Sequence, residues 1–222
     1  NTLYIGGRFS NVGAVTRVRL AAVNTITAQP LPWRPSLVHP HDSPTAGLSS
    51  VGVTSLLLER DRQSILVGFG GFLYAANQIR HGVAEINLSN DQVVSPGNPL
   101  SSFSGPAVYS LARDETSNLL YLAGGFLSAS GNIADRRSLL AIDLSTRLLT
   151  AWQPIGTGDS AGTYGNLYAS SLQLDATRGV LYVGGIFSSY SGVPKSNFAA
   201  FQLRQPEQSC PADFDASGDV TQ

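Results

Sequence analysis

One short phrase returns four times along the chain: LYIGGRF at Leu3–Phe9, LVGFGGF at Leu66–Phe72, LYLAGGF at Leu120–Phe126 and LYVGGIF at Leu181–Phe187. Each is a run of apolar residues that ends in a glycine pair and then an aromatic. Such recurrence is the mark of a repeat architecture, in which each unit buries its apolar surface against its neighbours. The aromatics Phe9, Phe72, Phe126 and Phe187 stand 63, 54 and 61 residues apart. That spacing is too long for a solenoid rung and suits a four-stranded blade carrying long loops.

The repeat extends beyond the glycines. Leu20–Val23, Gly82–Ile86, Leu139–Asp143 and Phe198–Phe201 follow as small-residue strands, and Trp33-Arg34-Pro35 and Trp152-Gln153-Pro154 close two of the units. An earlier strand precedes the glycine strand in three units, at Val53–Leu58, Val108–Ala112 and Tyr168–Leu174. Turn-forming stretches at Asp61–Ser64, Asp114–Asn118 and Asp175–Gly179 join these two strands as hairpins. Runs such as Ser55–Leu58 and Leu119–Leu122 are short, apolar and bounded by turn residues, as strands buried on both faces are. The predicted fold is therefore all-β, a β-propeller of four-stranded antiparallel blades. Units lie near residues 1–35, 52–100, 107–154 and 168–205 of a repeat domain spanning 1–205. The glycines Gly6, Gly7, Gly70, Gly71, Gly124, Gly125, Gly184 and Gly185 are expected where blades converge, with Phe9, Phe72, Phe126, Phe187, Trp33 and Trp152 filling the space between them. The first unit lacks its opening strand and the last its Trp-x-Pro ending. The ring is therefore expected to be incomplete, with further blades outside this segment or completion by another copy.

Composition narrows the function. Charged residues make up 13% of the chain, and 14 Lys and Arg stand against 15 Asp and Glu, so no basic field exists to hold nucleic acid. No apolar run is long enough for a membrane-spanning helix. A single cysteine, Cys210, excludes an internal disulfide framework.

The order LYxGGxF, loop, LAA, Trp-x-Pro resembles the β-propeller repeat of large bacterial secreted and surface proteins, a group described as a domain of unknown function. The resemblance covers about residues 1–205 and implies a secreted, extracellular or cell-surface bacterial propeller without an assigned chemistry. The second unit departs furthest from the pattern, with an extra residue near Phe69 and no Trp. Residues 206–222 form a linker and a truncated tail. Its Cys-Pro-Ala-Asp-Phe opening is similar to the start of dockerin-like modules. Within it Asp213, Asp215, Ser217, Asp219 and Thr221 take positions 1, 3, 5, 7 and 9 of an EF-hand-like loop, with Gly218 at the sharp turn. Alternating oxygen donors suit Ca²⁺, although the acid expected at position 12 would fall beyond Gln222.

Other motifs weigh against enzymatic chemistry. The His39-Pro40-His41-Asp42 cluster lies in the long loop Ser36–Ser50 with no second cluster to complete a tetrahedral site, which favours a solvated loop over a metal centre. Ser104-Gly105 and Ser191-Gly192 lack a Gly-x-Ser-x-Gly elbow. Three function classes follow. The leading one is a non-catalytic module that binds protein or carbohydrate, or builds a surface assembly, through loops Ser36–Ser50, Ala75–Arg80, Ser128–Arg137 and Gln153–Asn166. The second is a structural subunit of a filament or sheath whose blades are completed between copies, a homo-oligomer. The third is a fragment of a quinoprotein-like dehydrogenase, echoed by Ala141–Thr146 followed by Trp152.

Overall fold

The computed structural model describes residues 1–43, 48–75, 77–94, 107–125, 138–152, 154, 156–157 and 168–203. All regular structure among them is β, with no helix. The first unit holds β1 (Thr2–Gly6), β2 (Asn11–Val12), β3 (Val15–Thr16) and β4 (Leu20–Asn24), and β5 (Leu37–Val38) follows it. The second holds β6 (Val53–Glu59), β7 (Ser64–Ala75) and β8 (Gln78–Asn87). The third is β9 (Ala107–Asp114), β10 (Leu119–Gly125), β11 (Leu139–Asp143) and β12 (Leu148–Leu149). The last comprises β13 (Gly156–Thr157), β14 (Tyr168–Asp175), β15 (Val180–Ile186), β16 (Ser189–Tyr190), β17 (Val193–Pro194) and β18 (Phe198–Gln202).

Pairing is antiparallel throughout and repeats in register. The glycine strands β7, β10 and β15 each lie between an opening strand and a small-residue strand, in the orders β6-β7-β8, β9-β10-β11 and β14-β15-β18. In all three a serine of the opening strand faces the same position: Ser55 opposite Gly68, Ser110 opposite Ala123, Ser171 opposite Gly184. The register makes Gly68, two residues before the Gly70-Gly71 pair, the counterpart of Gly184. β1 pairs only with β4. The single pair Gly70–Ala107 joins the second and third units into one eight-stranded sheet, and among the described residues the sheets do not close into a ring. Among the described residues the expected fourth strand is seen only as β12 and as the lone bridges Val23–Pro30 and Ile86–Val93. In the first unit Pro30 and Pro32 lack the N–H that a longer ladder would need.

The four units stack face to face because the glycine strands are apolar on both faces. In β7, Ile65, Val67 and Phe69 join Leu20, Ala22 and Trp33 of the first unit in one core, whereas Leu66 turns to Leu120 and Leu122 of the third. In β10, Leu120 and Leu122 face backward in the stack, while Tyr121 and Ala123 face forward to Leu181 and Val183 of the fourth. Side chains alternate across a strand, so a single strand feeds two cores. Each fully buried Leu or Phe contributes about 1.5–3 kcal/mol relative to exposure.

Facing positions are matched in size. A side chain at Gly6 would run into Val53 of the next unit, and one at Gly68 would crowd Val108 of the unit after that. Where the glycine position becomes Ala123, the valine position becomes Ala169, and both are fully buried in one core. Trp33 and Trp152 repeat an edge-on contact with Tyr4 and Tyr121, with ring centres 5.1 Å and 5.0 Å apart. Polar groups reinforce the second and third units: Arg113 pairs with the buried Glu59, Arg147 pairs with the buried Glu85, and the Thr54 hydroxyl donates to the Val108 carbonyl. The Leu172 N–H donates to Ser110 Oγ at 3.1 Å between the third and fourth.

Turn geometry recurs as closely as pairing does. The residue before each small-residue strand is left-handed, whether Arg19, Gly82, Ser138 or Asn197. Asn24, Asn87 and Asp143 each cap the following turn, their Oδ1 accepting from the N–H groups two and three residues on.

Gly185 and Gly7 hold the same place in their units and meet different surroundings. A Cβ at 185 would collide with the backbone of Tyr168 and Ala169, whereas one at 7 would meet only the Phe9 ring edge at 3.4 Å. Gly185→Ala should therefore cost about 1–3 kcal/mol in urea unfolding, and Gly7→Ala should fall within about 0.5 kcal/mol of the parent.

Candidate functional site

In the first, second and fourth units the insert between the glycine strand and the strand that follows emerges at the equivalent end of the unit. In the first and fourth units the insert is a small hairpin, β2–β3 and β16–β17, tied by Arg17 N–H to the Ser10 carbonyl and Lys195 N–H to the Ser188 carbonyl. In the second unit β7 and β8 themselves run on as a hairpin past an irregularity between Gly68 and Phe72, turning at left-handed Asn77. β5 then adds to the outer edge of that extension, with Leu37 opposite Ala75 and Val38 opposite Tyr74. The hairpins in the first and last units were not anticipated from sequence, although Val-Gly-Ala-Val and Tyr-Ser-Gly-Val have the turn residues and flanking β-formers that signal one.

A buried cation anchors the longest insert. Arg19 is fully buried, and its guanidinium donates to the Val51 and Leu37 carbonyls, to Ser49 Oγ and to both carboxylate oxygens of Asp42 (Nη1 to Oδ2 2.7 Å, Nη2 to Oδ1 2.6 Å). Asp42 also accepts the N–H groups of His39 and Ser49. The Arg19 guanidinium above all, with these N–H groups, holds the Asp42 carboxyl well below the usual carboxylate range. Asp42 is therefore a structural anion, its oxygens consumed by the clamp. His39 Nδ1 accepts from the His41 N–H at 3.2 Å. The four-residue cluster singled out from sequence is thus a self-satisfied loop, and no group of three metal-ligating side chains occurs among the described residues.

Above the clamp, His39 stacks on Phe72 at 5.0 Å and Phe72 on His81 at 6.0 Å. Burial depresses both histidines, with the His41 charge adding to the effect at His39. The sequence offered no sign that Phe72 would lie between histidines 42 residues apart (His81 and His39) rather than in the inter-sheet core. Phe69 occupies that core instead, fully buried, as Phe187 is in the fourth unit. Phe9 is half-buried beside Gly7. Trp33 donates Nε1–H to the Asn87 carbonyl at 3.2 Å, reaching across to the second unit. Tyr190 is a core residue whose hydroxyl meets Ser138 Oγ at 2.7 Å, and burial pushes it up to about 12.

Each described insert shows an aliphatic side chain to solvent, Val15 on β3, Ile79 on β8 and Val193 on β17, and β5 beside the second insert adds Val38; all are between 40% and 52% exposed. Phe126 and the tail residues Asp213, Asp215, Ser217, Asp219 and Thr221 lie outside the described residues, as do most of the loops Ser128–Arg137 and Gln153–Asn166. No protein-family model matches the chain, and no curated protein is significantly similar to it.

Removing either half of the clamp leaves the other, the fully buried Arg19 or the part-buried Asp42, without its counter-charge. Arg19→Met and Asp42→Asn should each lower the unfolding free energy by about 3 kcal/mol and speed amide exchange at His39 and Ser49. The depressed groups set the pH response. Stability from His39 and His81 is present above about pH 6.5 and lost as pH falls through their lowered values. That from Asp42 is present above about pH 4 and lost at still lower pH. Urea midpoints should fall in two stages on acidification, with Asp42→Asn diminishing the second, to which the lowered Asp143 and Asp175 also belong.

Proposed function

We propose that the chain is a non-catalytic β-propeller-type module, secreted or displayed at a bacterial surface, that recognises a protein partner through the inserts at one end of its stacked sheets. The observation that carries this reading is the placement of Val15, Ile79 and Val193, one exposed aliphatic on each described insert, with Val38 on the adjoining β5. Scattered apolar residues are normal on a surface, but their recurrence on the inserts of a rigid scaffold suits a contact rim. The buried charged residues serve the scaffold: Arg19 clamps a loop, and Glu59 and Glu85 hold neighbouring sheets together. The repeat register and the face-to-face stacking support a blade for each unit. The tail keeps its proposed Ca²⁺ role as an accessory loop.

The test is a selection of peptide ligands from a displayed random library, followed by mapping of bound ligand by hydrogen exchange. Protection should fall on β3, β5, the β7–β8 tip and β17. The triple variant Val15→Lys, Ile79→Lys, Val193→Lys should keep its thermal midpoint and lose binding by at least about tenfold. Ligands that protect other surfaces, or bind the triple variant equally, would refute the reading.

A further inference from the structure

His39 lies in the middle of a short segment that is fixed at both ends. On one side Leu37 is fully buried and pairs with Ala75, and on the other Asp42 is clamped by Arg19. Between them His39 closes the turn through three hydrogen bonds. Its N–H donates to Asp42 Oδ2 at 2.8 Å, its carbonyl accepts the Asp42 N–H at 2.9 Å, and its ring Nδ1 accepts the His41 N–H at 3.2 Å. The ring packs edge-on to His41 at 5.1 Å and against Phe72 at 5.0 Å, and Phe72 lies 6.0 Å from His81 on β8. An Nδ1 that accepts is unprotonated, so this arrangement belongs to the neutral imidazole with its hydrogen on Nε2.

The charges around His39 are already unbalanced. The loop contributes His41 and Asp42, and residues 44–47 read Pro-Thr-Ala-Gly, with no ionisable side chain. The first unit contributes Arg19 and, bonded to the Leu48 and Ser49 carbonyls, Arg8. On β7 the one ionisable residue is Tyr74. On β8, Arg80 donates to Gln78 and to the Ile79 carbonyl, His81 shares Phe72, and Glu85 is held by Ser64 and Arg147. Among the described residues Asp42 is thus the one acid beside His39, and both its oxygens already serve Arg19. Burial above all, then the His41 charge, sets His39 below the ordinary imidazole range against the pull of Asp42, and burial does the same to His81. A proton on His39 removes the Nδ1 acceptor and adds positive charge next to His41 and Arg19. The Phe72 face attracts a cation and offsets part of this, but His81 draws on the same ring.

We propose that Val38–His41 is a proton-operated latch on the second insert, closed over Phe72 while His39 is neutral and swung out to solvent once His39 is protonated. Histidines whose folded values are lowered stabilise the closed form above about pH 6.5, and that stabilisation is lost as pH falls through the lowered values. The Arg19–Asp42 clamp survives this range, because the Asp42 carboxyl is held well below it. The latch therefore opens between two points that stay fixed, Leu37 and Asp42, without unfolding the sheets. Opening breaks the Val38–Tyr74 pairing and bares the Phe72 ring. The opening stands on its own; only its consequence for recognition, removal of Val38 from the contact, rests on the proposed rim.

The test is proton NMR of the full chain between about pH 7.5 and about pH 5, with the His39 ring titration followed alongside. Cross-relaxation between His39 and Phe72, and between Val38 and Tyr74, should fall at least about fivefold over the His39 titration. Contacts among Leu120, Leu122 and Leu140 in the core should persist. His39→Phe keeps a ring on Phe72 and takes no proton, so its Val38–Tyr74 contact should survive at about pH 5. His39→Asn sets a neutral acceptor near the Nδ1 position and should hold the same contact, which keeps the test open where the phenylalanine variant does not fold. Contacts that persist while His39 becomes charged, or that vanish together with those of the core, would overturn the proposal. Loss of the Val38–Tyr74 contact at about pH 5 in a folded His39→Phe or His39→Asn chain would overturn it too. All these contacts are read without a ligand, so failure of the rim and failure of the latch are distinguished.

Discussion

The structure depends on strands that are apolar on both faces. A strand such as Ser64–Ala75 cannot be satisfied by one core, because Ile65 and Val67 point one way and Leu66 the other. The only arrangement that removes both rows from water places a sheet on each side. Repeating that strand commits the chain to a stack in which every internal unit is both lid and floor. The size match at the glycine positions follows from the same constraint. Gly6 and Gly68 admit a valine from the next sheet, and Ala123 is met by Ala169, so the sheets approach closely at one point in each interface.

Two kinds of polar interaction decorate this stack, and they differ in purpose. The Glu59–Arg113 and Glu85–Arg147 pairs cross from one sheet to the next at their margins and orient neighbours that hydrophobic burial has already brought together. Arg19 instead reaches into a loop. Its left-handed backbone occupies a site taken by Gly82, Ser138 and Asn197 in the other units, so the turn itself tolerates several residues. The arginine side chain is what makes this copy special, gathering Leu37, Asp42, Ser49 and Val51 onto one guanidinium. A loop that would otherwise float over the sheet edge is thereby fixed, and its aliphatic Val38 is held outward in place.

Much of this was legible in the chain, and unevenly. The glycine phrase, the small-residue strands and the three opening strands were readable because buried strands are short, apolar and punctuated by turn residues. The register within the second unit was less so. There the printed phrase aligns Gly70 and Gly71 with the other glycine pairs, but hydrogen bonding aligns Gly68, because Phe69 must reach the core shared with Trp33 and the irregularity is absorbed just after it. A full strand near Trp-x-Pro was expected in each unit, and among the described residues of the first and third units prolines and the tryptophan contacts leave only the Val23–Pro30 bridge and β12. In the loop, the proximity of His39 and Asp42 was visible, but not that Arg19 would claim the carboxylate or that His81 would share Phe72 with His39.

The sequence over-read Ser55–Leu58, which in β6 is half-buried with Leu58 exposed, but by itself it determined the all-β class, the number of repeated units and the double burial of Leu119–Leu122. Those follow from hydrophobic period and turn chemistry, which are local. Only the tertiary structure decided which face of each strand meets which neighbour, and that Asp42 is an anchor and not a ligand. Each of these depends on groups far apart in the chain meeting across a sheet interface, where a one-residue change of register reverses every side chain.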